Sequence, residues 1–195
     1  MIMRILMLGN SFTFSNNMPA MLAEITGAEV VHHTRGGAYL LEQLNPRTKL
    51  GARTKAALEN STWDYVVLQE MSSAPVKTKD AFFRSIDQLC ARIREKGAKP
   101  VLYATWPYRK GSRLMASQGI SYEEMARGLS EAYHEAARRN NALIADVGQR
   151  FVELADTQQL YEKDSRHPSR TGSRVAAETI AAVILEDQKR AADNR

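Results

Sequence analysis

Three residues of this chain have the types that nucleophilic catalysis needs, and they come from its two ends. Ser11 lies in Gly9-Asn10-Ser11-Phe12, while Asp164 and His167 sit three apart in Asp164-Ser165-Arg166-His167-Pro168. A serine hydroxyl is a weak nucleophile until a neutral imidazole takes its proton. The imidazole must be held in one tautomer, commonly by a carboxylate. The tetrahedral oxyanion then needs preorganised donors, for which backbone N–H groups and a side-chain amide suffice. Between the two ends the sequence offers Arg35-Gly36-Gly37 and Leu68-Gln69-Glu70. Ser11, His167 and Asp164 are therefore candidates for nucleophile, base and orienting acid. The N–H groups of Ser11 and Gly37 and the NH₂ of Gln69 are candidate oxyanion donors.

These residues act together only if the fold gathers them. Short apolar runs, "RILMLG" (4–9), "AEVVHH" (28–33), "DYVVLQ" (64–69), "KPVLYAT" (99–105) and "ALIADVG" (142–148), read as strands. "ILML", "YVVL" and "VLYA" are apolar at successive positions, as in strands covered on both faces. Between them, Phe82, Ile86, Leu89 and Ile93 recur at helical spacing, as do Tyr122, Met125, Leu129 and Tyr133, and then Ala176, Ile180, Val183 and Ile184. Weaker patterns near 17–27 and 50–60 suggest two further helices. Strands alternating with helices imply right-handed crossovers and a parallel sheet. The expected fold is a single-domain three-layer α/β/α sandwich, a flavodoxin-like doubly wound sheet of about five parallel strands. In such sheets chemistry collects beyond the carboxyl ends of the strands. Ser11, Gly36-Gly37 and Gln69-Glu70 then fall at three strand ends, and Asp164 and His167 lie before the last helix.

Taken singly, each motif has a plainer account. Gly-Asn-Ser after a strand is also a turn, Gly36-Gly37 is a general loop signal, and Gln69 can cap a strand edge. Asp164 to Pro168 can be a helix entry with Ser169 as N-cap. Co-occurrence at one sheet edge favours catalysis. In this arrangement the sequence resembles the SGNH (GDSL-like) hydrolases, whose four motif blocks centre on a Ser, a Gly, an Asn and a His. Gly9-Asn10-Ser11-Phe12 is similar to the first block, Gly36-Gly37 to the second, and Asp164-Ser165-Arg166-His167-Pro168 to the Asp-x-x-His-Pro of the last. The third block departs: Leu68-Gln69-Glu70 stands where Gly-x-Asn-Asp is usual, with Gln69 one methylene longer than Asn. The resemblance implies the fold already derived, an ester-hydrolysing activity without metal or other cofactor, and a triad of Ser11, His167 and Asp164. By family habit it suggests an O-acetylated carbohydrate as substrate. A fold-retaining binding protein without turnover, and an acyltransferase with a non-water acceptor, are the alternatives.

Other constellations fare worse. The Gly-x-Ser-x-Gly elbow is missing because position 13 is Thr, and no P-loop or Gly-x-Gly-x-x-Gly occurs. His32 and His33 are adjacent on a strand, so they face opposite ways and do not share an ion. Segment 105–121 is long for a connection and is expected to serve as a lid or substrate wall. Asn10, Glu70 and Trp106 are candidate substrate contacts, with Tyr108 a second aromatic for a sugar ring or acyl pocket. Arg35, Arg109, Lys110, Arg113 and Arg166 hint at an anionic substrate.

The bulk numbers limit the alternatives. With 44% hydrophobic and 25% charged residues, the chain has the profile of a soluble globular protein. Its net charge of +5 arises from Lys and Arg scattered among 22 acids, with no zinc finger or RNP-type strand, which argues against nucleic acid. The opening "MIMRILMLGNSF" is too short in its apolar run for a signal, so it reads as the first strand of a cytoplasmic protein, with Met3 an alternative start. Apolar runs are too short for a membrane span. The single cysteine, Cys90, lies in a helical apolar pattern as a core thiol and excludes an internal disulfide. The partner expected is a small ester; oligomeric state is left open.

Overall fold

The structure, a computed structural model, describes residues 2–194. The strands are β1 (Arg4–Gly9), β2 (Glu29–Thr34), β3 (Tyr65–Leu68), β4 (Lys99–Tyr103) and β5 (Leu143–Ala145). They form one parallel sheet in the order β2-β1-β3-β4-β5. The chain winds from β1 outward to β2, then crosses back to β3 and continues the other way. The switch point therefore lies between β1 and β3, where a doubly wound sheet leaves a crevice at its carboxyl edge.

The described residues form ten α-helices, most of which cover the two faces of the sheet. In chain order they are α1 (Ser11–Phe14), α2 (Met18–Thr26), α3 (Leu40–Gln43), α4 (Lys49–Asn60), α5 (Ala74–Lys77), α6 (Lys79–Glu95), α7 (Arg113–Ala116), α8 (Tyr122–Arg139), α9 (Val147–Leu154) and α10 (Arg170–Asp193). The continuous apolar strands follow from this double covering. Ile5, Met7, Tyr65, Val67, Val101 and Tyr103 join a core with residues of α2, α9 and α10. Their alternates Leu6, Leu8, Val66, Leu68 and Leu102 join a second core with α3, α4, α6 and α8. Period-two alternation thus feeds two cores at once.

The helical patterns read from the sequence occupy α6, α8 and α10; the apolar positions of α6 and α10 and Tyr133 of α8 pack on the sheet. The two weaker patterns correspond to α2 and α4. Cys90 is a free, fully buried thiol, and burial pushes its pKa up to about 12. In segment 105–121, Trp106, Pro107 and Tyr108 are buried, Tyr108 and Met115 form a small apolar cluster with Met125 and Leu129 of α8, and residues 109–111 are exposed. No helix among the described residues is long and apolar enough to cross a membrane.

Candidate active site

β1 ends at Gly9, and Asn10 turns the chain into α1. Asn10 Oδ1 accepts from Phe12 N–H at 3.0 Å, so Asn10 is the N-cap that places Ser11 at the first helical position. At the far end of the chain, Asp164 accepts from the N–H groups of Arg166 (3.0 Å) and His167 (2.9 Å), curling 164–167 into a tight turn. Ser165, buried in this turn, takes a left-handed φ of 65°. Ser165 N–H donates to Glu162 C=O at 3.0 Å, and Glu162 N–H to His167 C=O at 2.9 Å.

The two ends meet. Ser11 Oγ lies 2.8 Å from His167 Nε2. His167 Nδ1 is hydrogen-bonded to Asp164 Oδ2. A carboxylate can only accept, so Nδ1 carries the proton and Nε2 presents its lone pair to the serine hydroxyl. Burial alone raises the Asp164 pKa. The hydrogen bond from the His167 side chain and those from the N–H groups of His167 and Arg166 outweigh it and hold the carboxyl down at about 2. Asp164 is thus an anion at neutral pH and orients the ring.

The start of segment 105–121 braces this turn. Trp106 is fully buried, stacked between Phe12 at 4.5 Å and Phe151 at 4.0 Å. Its indole N–H donates to Arg166 C=O at 3.1 Å, and Arg109 N–H to Ser165 C=O at 2.9 Å. Tyr161 OH donates to Pro107 C=O at 2.8 Å. Asn16 Nδ2 adds a link from the serine side, donating to Pro168 C=O at 3.0 Å. Trp106 is corrected from substrate contact to support of the histidine turn. Tyr108 is likewise buried, its hydroxyl 2.9 Å from Ser72 Oγ.

The third block holds the largest correction. Gln69 is 0% exposed, so no substrate oxygen reaches its NH₂. Its Oε1 accepts from Asn10 N–H at 2.9 Å and from Thr13 OH at 2.9 Å, and its NH₂ donates to Glu70 C=O. Asn10 N–H only donates and Glu70 C=O only accepts, which fixes the amide orientation. Gln69 is therefore not an oxyanion donor. Asn10 and Glu70 are also buried, at 3% and 2% exposed, which removes both from the list of substrate contacts. Asn10 Nδ2 donates to Ala38 C=O at 3.1 Å, and Glu70 Oε1 accepts from Leu40 N–H at 3.1 Å and Met71 N–H at 2.7 Å. Desolvation raises the Glu70 pKa to about 7 against these two N–H groups.

Two of the three expected donors remain. Among the described residues, neither Ser11 N–H nor Gly37 N–H meets a hydrogen-bond acceptor. Gly37 is exposed with φ of 68°, a conformation that side chains rarely adopt. Of the cations read as favouring an anion, Arg35 pairs with Glu42 and Lys110 with Glu123. His33 is buried and His32 exposed, as their alternation requires. No group of three or more His, Cys, Asp or Glu suited to a metal occurs among the described residues.

Comparison with known structures is decisive for the family. A protein from Slackia heliotrinireducens described as a candidate SGNH hydrolase is 48% identical, aligning over 94% of this chain and 100% of its own with a TM-score of 0.91. The chain belongs to the SGNH hydrolases. More distant structures share the fold of this hydrolase. A protein from Desulfitobacterium hafniense described as a candidate lipolytic protein of the G-D-S-L family aligns at 18% identity and TM-score 0.69, over 92% of this chain and 98% of its own. An acetylxylan esterase from Geobacillus stearothermophilus aligns at 15% identity and TM-score 0.67, over 93% and 94%. No family model and no curated protein matches the sequence.

The sequence pointed to Ser11, His167 and Asp164, and the fold brings these three together. It missed Thr13, Phe12, Phe151 and Tyr161, which hold the site from beneath. The only sequence signal for Thr13 was negative: it fills the place of the second glycine of a nucleophile elbow.

Proposed function

We propose that this SGNH hydrolase is a one-domain serine esterase acting on small carboxylic esters, with Ser11 as nucleophile, His167 as base and Asp164 as orienting acid. The observation that carries the reading is the unbroken chain from Ser11 Oγ to His167 Nε2, at 2.8 Å, and from His167 Nδ1 to Asp164. His167 Nε2 takes the hydroxyl proton as Oγ bonds to the ester carbonyl carbon. The resulting oxyanion is met by the N–H groups of Ser11 and Gly37. His167 then returns the proton to the leaving alkoxide, and the acyl group stays on Ser11. Water repeats the sequence: it gives a proton to His167, attacks the acyl carbon, and the proton passes back to Oγ. No step calls for a metal.

An O-acetylated carbohydrate is the substrate we favour. Ser11 and His167 are only half-buried at the sheet edge, which suits a small acyl group on a large alcohol, and an acetylxylan esterase shares the fold. Hydrolysis of p-nitrophenyl acetate by wild type and Ser11→Ala tests the reading. The alanine variant is expected to lose up to ~10⁶-fold in kcat, with the fold intact and the wild-type rate indifferent to EDTA. Equal turnover by a folded Ser11→Ala protein rules the reading out.

A further inference from the structure

We infer that Gln69 and Glu70, at the tip of β3, are positioning residues that hold the two oxyanion donors in place, Gln69 on the Ser11 side and Glu70 on the Gly37 side. The inference rests on the serine-esterase reading above and extends it to residues that never touch substrate.

Gln69 acts on the turn that presents Ser11. Its Oε1 receives Asn10 N–H, one residue before Ser11, and Thr13 OH, two residues after it, both at 2.9 Å. Its backbone N–H donates to Leu8 C=O at 2.9 Å, so the side chain springs from a point locked to β1. Both ends of the amide are occupied, since its NH₂ donates to Glu70 C=O. An Asn here would fall about one methylene short of Asn10 and Thr13. Gly9 completes the fit, because a Cβ there would lie 2.5 Å from Gln69 Oε1 and 2.6 Å from Thr13 Oγ1.

Glu70 acts on the glycine loop. Its Oε1 takes the N–H of Leu40, three residues beyond Gly37, and of Met71. Its own N–H donates to Tyr133 OH of α8 at 3.2 Å. Asn10 Nδ2 grips the same loop at Ala38 C=O, 3.1 Å away. Gly36, Gly37 and Tyr39 are exposed, so the bonds at 38 and 40, with the Arg35 side chain on Gly36 C=O at 2.8 Å, fix the loop. Asn10, Gln69 and Glu70 thus form a buried bracket between the two N–H groups that lack acceptors.

A bracket of this kind matters because oxyanion donors help only when they are already aimed at the developing charge. Misplacing a reacting group by about 1 Å costs ~10²-fold in rate. The effect falls on the transition state, in which the carbonyl oxygen becomes an anion, more than on the bound ester. The Leu-Gln-Glu tip therefore replaces a third donor with rigidity in the other two.

The test compares full-length wild type with Thr13→Val, Glu70→Ala and Glu70→Gln in kcat and KM for p-nitrophenyl acetate, and in Ki for phenylboronic acid, which forms a tetrahedral adduct with a reactive serine. Thr13→Val removes one hydrogen bond at nearly constant shape and is expected to lower kcat about fivefold. Glu70→Ala is expected to lower kcat by on the order of 10²-fold. KM should stay within about twofold, while the boronic acid Ki rises in parallel with the loss in kcat. Glu70→Gln keeps the accepting oxygen on an arm of equal length and should recover most of the Glu70→Ala loss. A purely structural role would lower Tm without moving Ki relative to KM. If Glu70→Ala does not fold, Thr13→Val decides. Wild-type kcat and Ki in Thr13→Val, or losses confined to KM, overturn the inference while leaving the esterase reading standing. A wild-type protein that neither hydrolyses the ester nor binds the boronic acid overturns both.

Discussion

Gly9→Ala probes the fit beneath the nucleophile with one methyl group. The new Cβ would sit 2.5 Å from Gln69 Oε1 and 2.6 Å from Thr13 Oγ1, close to an ångström short of ordinary contact. Neither neighbour yields easily, since both side chains are fully buried and bonded to each other. Relief requires Gln69 to withdraw. Forcing an extra carbon into a packed site costs about 1–3 kcal/mol. Withdrawal also leaves the buried Asn10 N–H without its acceptor, a further ~1–3 kcal/mol. A total of about 2–6 kcal/mol lowers Tm by roughly 4–24 °C in a chain of this size. As the Ser11 turn moves with Asn10, kcat should fall by on the order of 10²-fold. Thermal unfolding and ester hydrolysis on one preparation measure both. A variant with wild-type Tm and kcat would show that Gln69 is not locked under Gly9, and the account of the β3 tip would fail.

Two further outcomes follow from the charged groups. Asp164→Asn should keep the turn but weaken tautomer control of His167, lowering kcat by up to ~10⁴-fold; an unchanged rate would mean that another group orients the ring. Stability should vary with pH through Glu70, whose pKa rises from 4.5 to about 7 on burial. The unfolded chain releases this proton near 4.5 and the folded protein only near 7, so the group's contribution to stability falls as pH rises across that window. The drop is on the order of 3 kcal/mol. Among the described residues no charged side chain shifts Glu70; the Tyr133 phenol, which faces it, has its own pKa pushed further up. Denaturant unfolding of Glu70→Gln at pH 5 and pH 8 should show this slope flattened, and an unaltered slope would assign it elsewhere.

Much of the sheet was legible because each strand carries its own evidence. "ILML", "YVVL" and "VLYA" are apolar at every position, and the structure sends alternate residues into two separate cores. That pattern, with helices between, fixes which strand ends share an edge. It therefore placed Ser11, Gly37 and the Gln69–Glu70 tip at one edge, without saying which way a side chain turns there. Gln69 shows the limit. Its amide direction depends on Thr13, 56 residues away, and on the missing Cβ of Gly9, neither of which leaves a periodic signal. Trp106 shows another. An aromatic in a connecting segment looks the same whether it faces ligand or core, and only its stacking on Phe12 and Phe151 tells the two apart. Gly9 was read as part of a motif, whereas its physical contribution is the space it leaves.

Mass mapping after incubation with a fluorophosphonate probe tests the central claim most directly. The probe phosphonylates a serine whose proton can pass to a base and whose oxyanion is stabilised, so it reports nucleophile, base and donors in one event. The account predicts a single stoichiometric adduct on the peptide carrying Ser11, absent in His167→Ala and formed slowly in Asp164→Asn. Folded wild-type protein that stays unlabelled, or that carries the adduct on another residue, would contradict it.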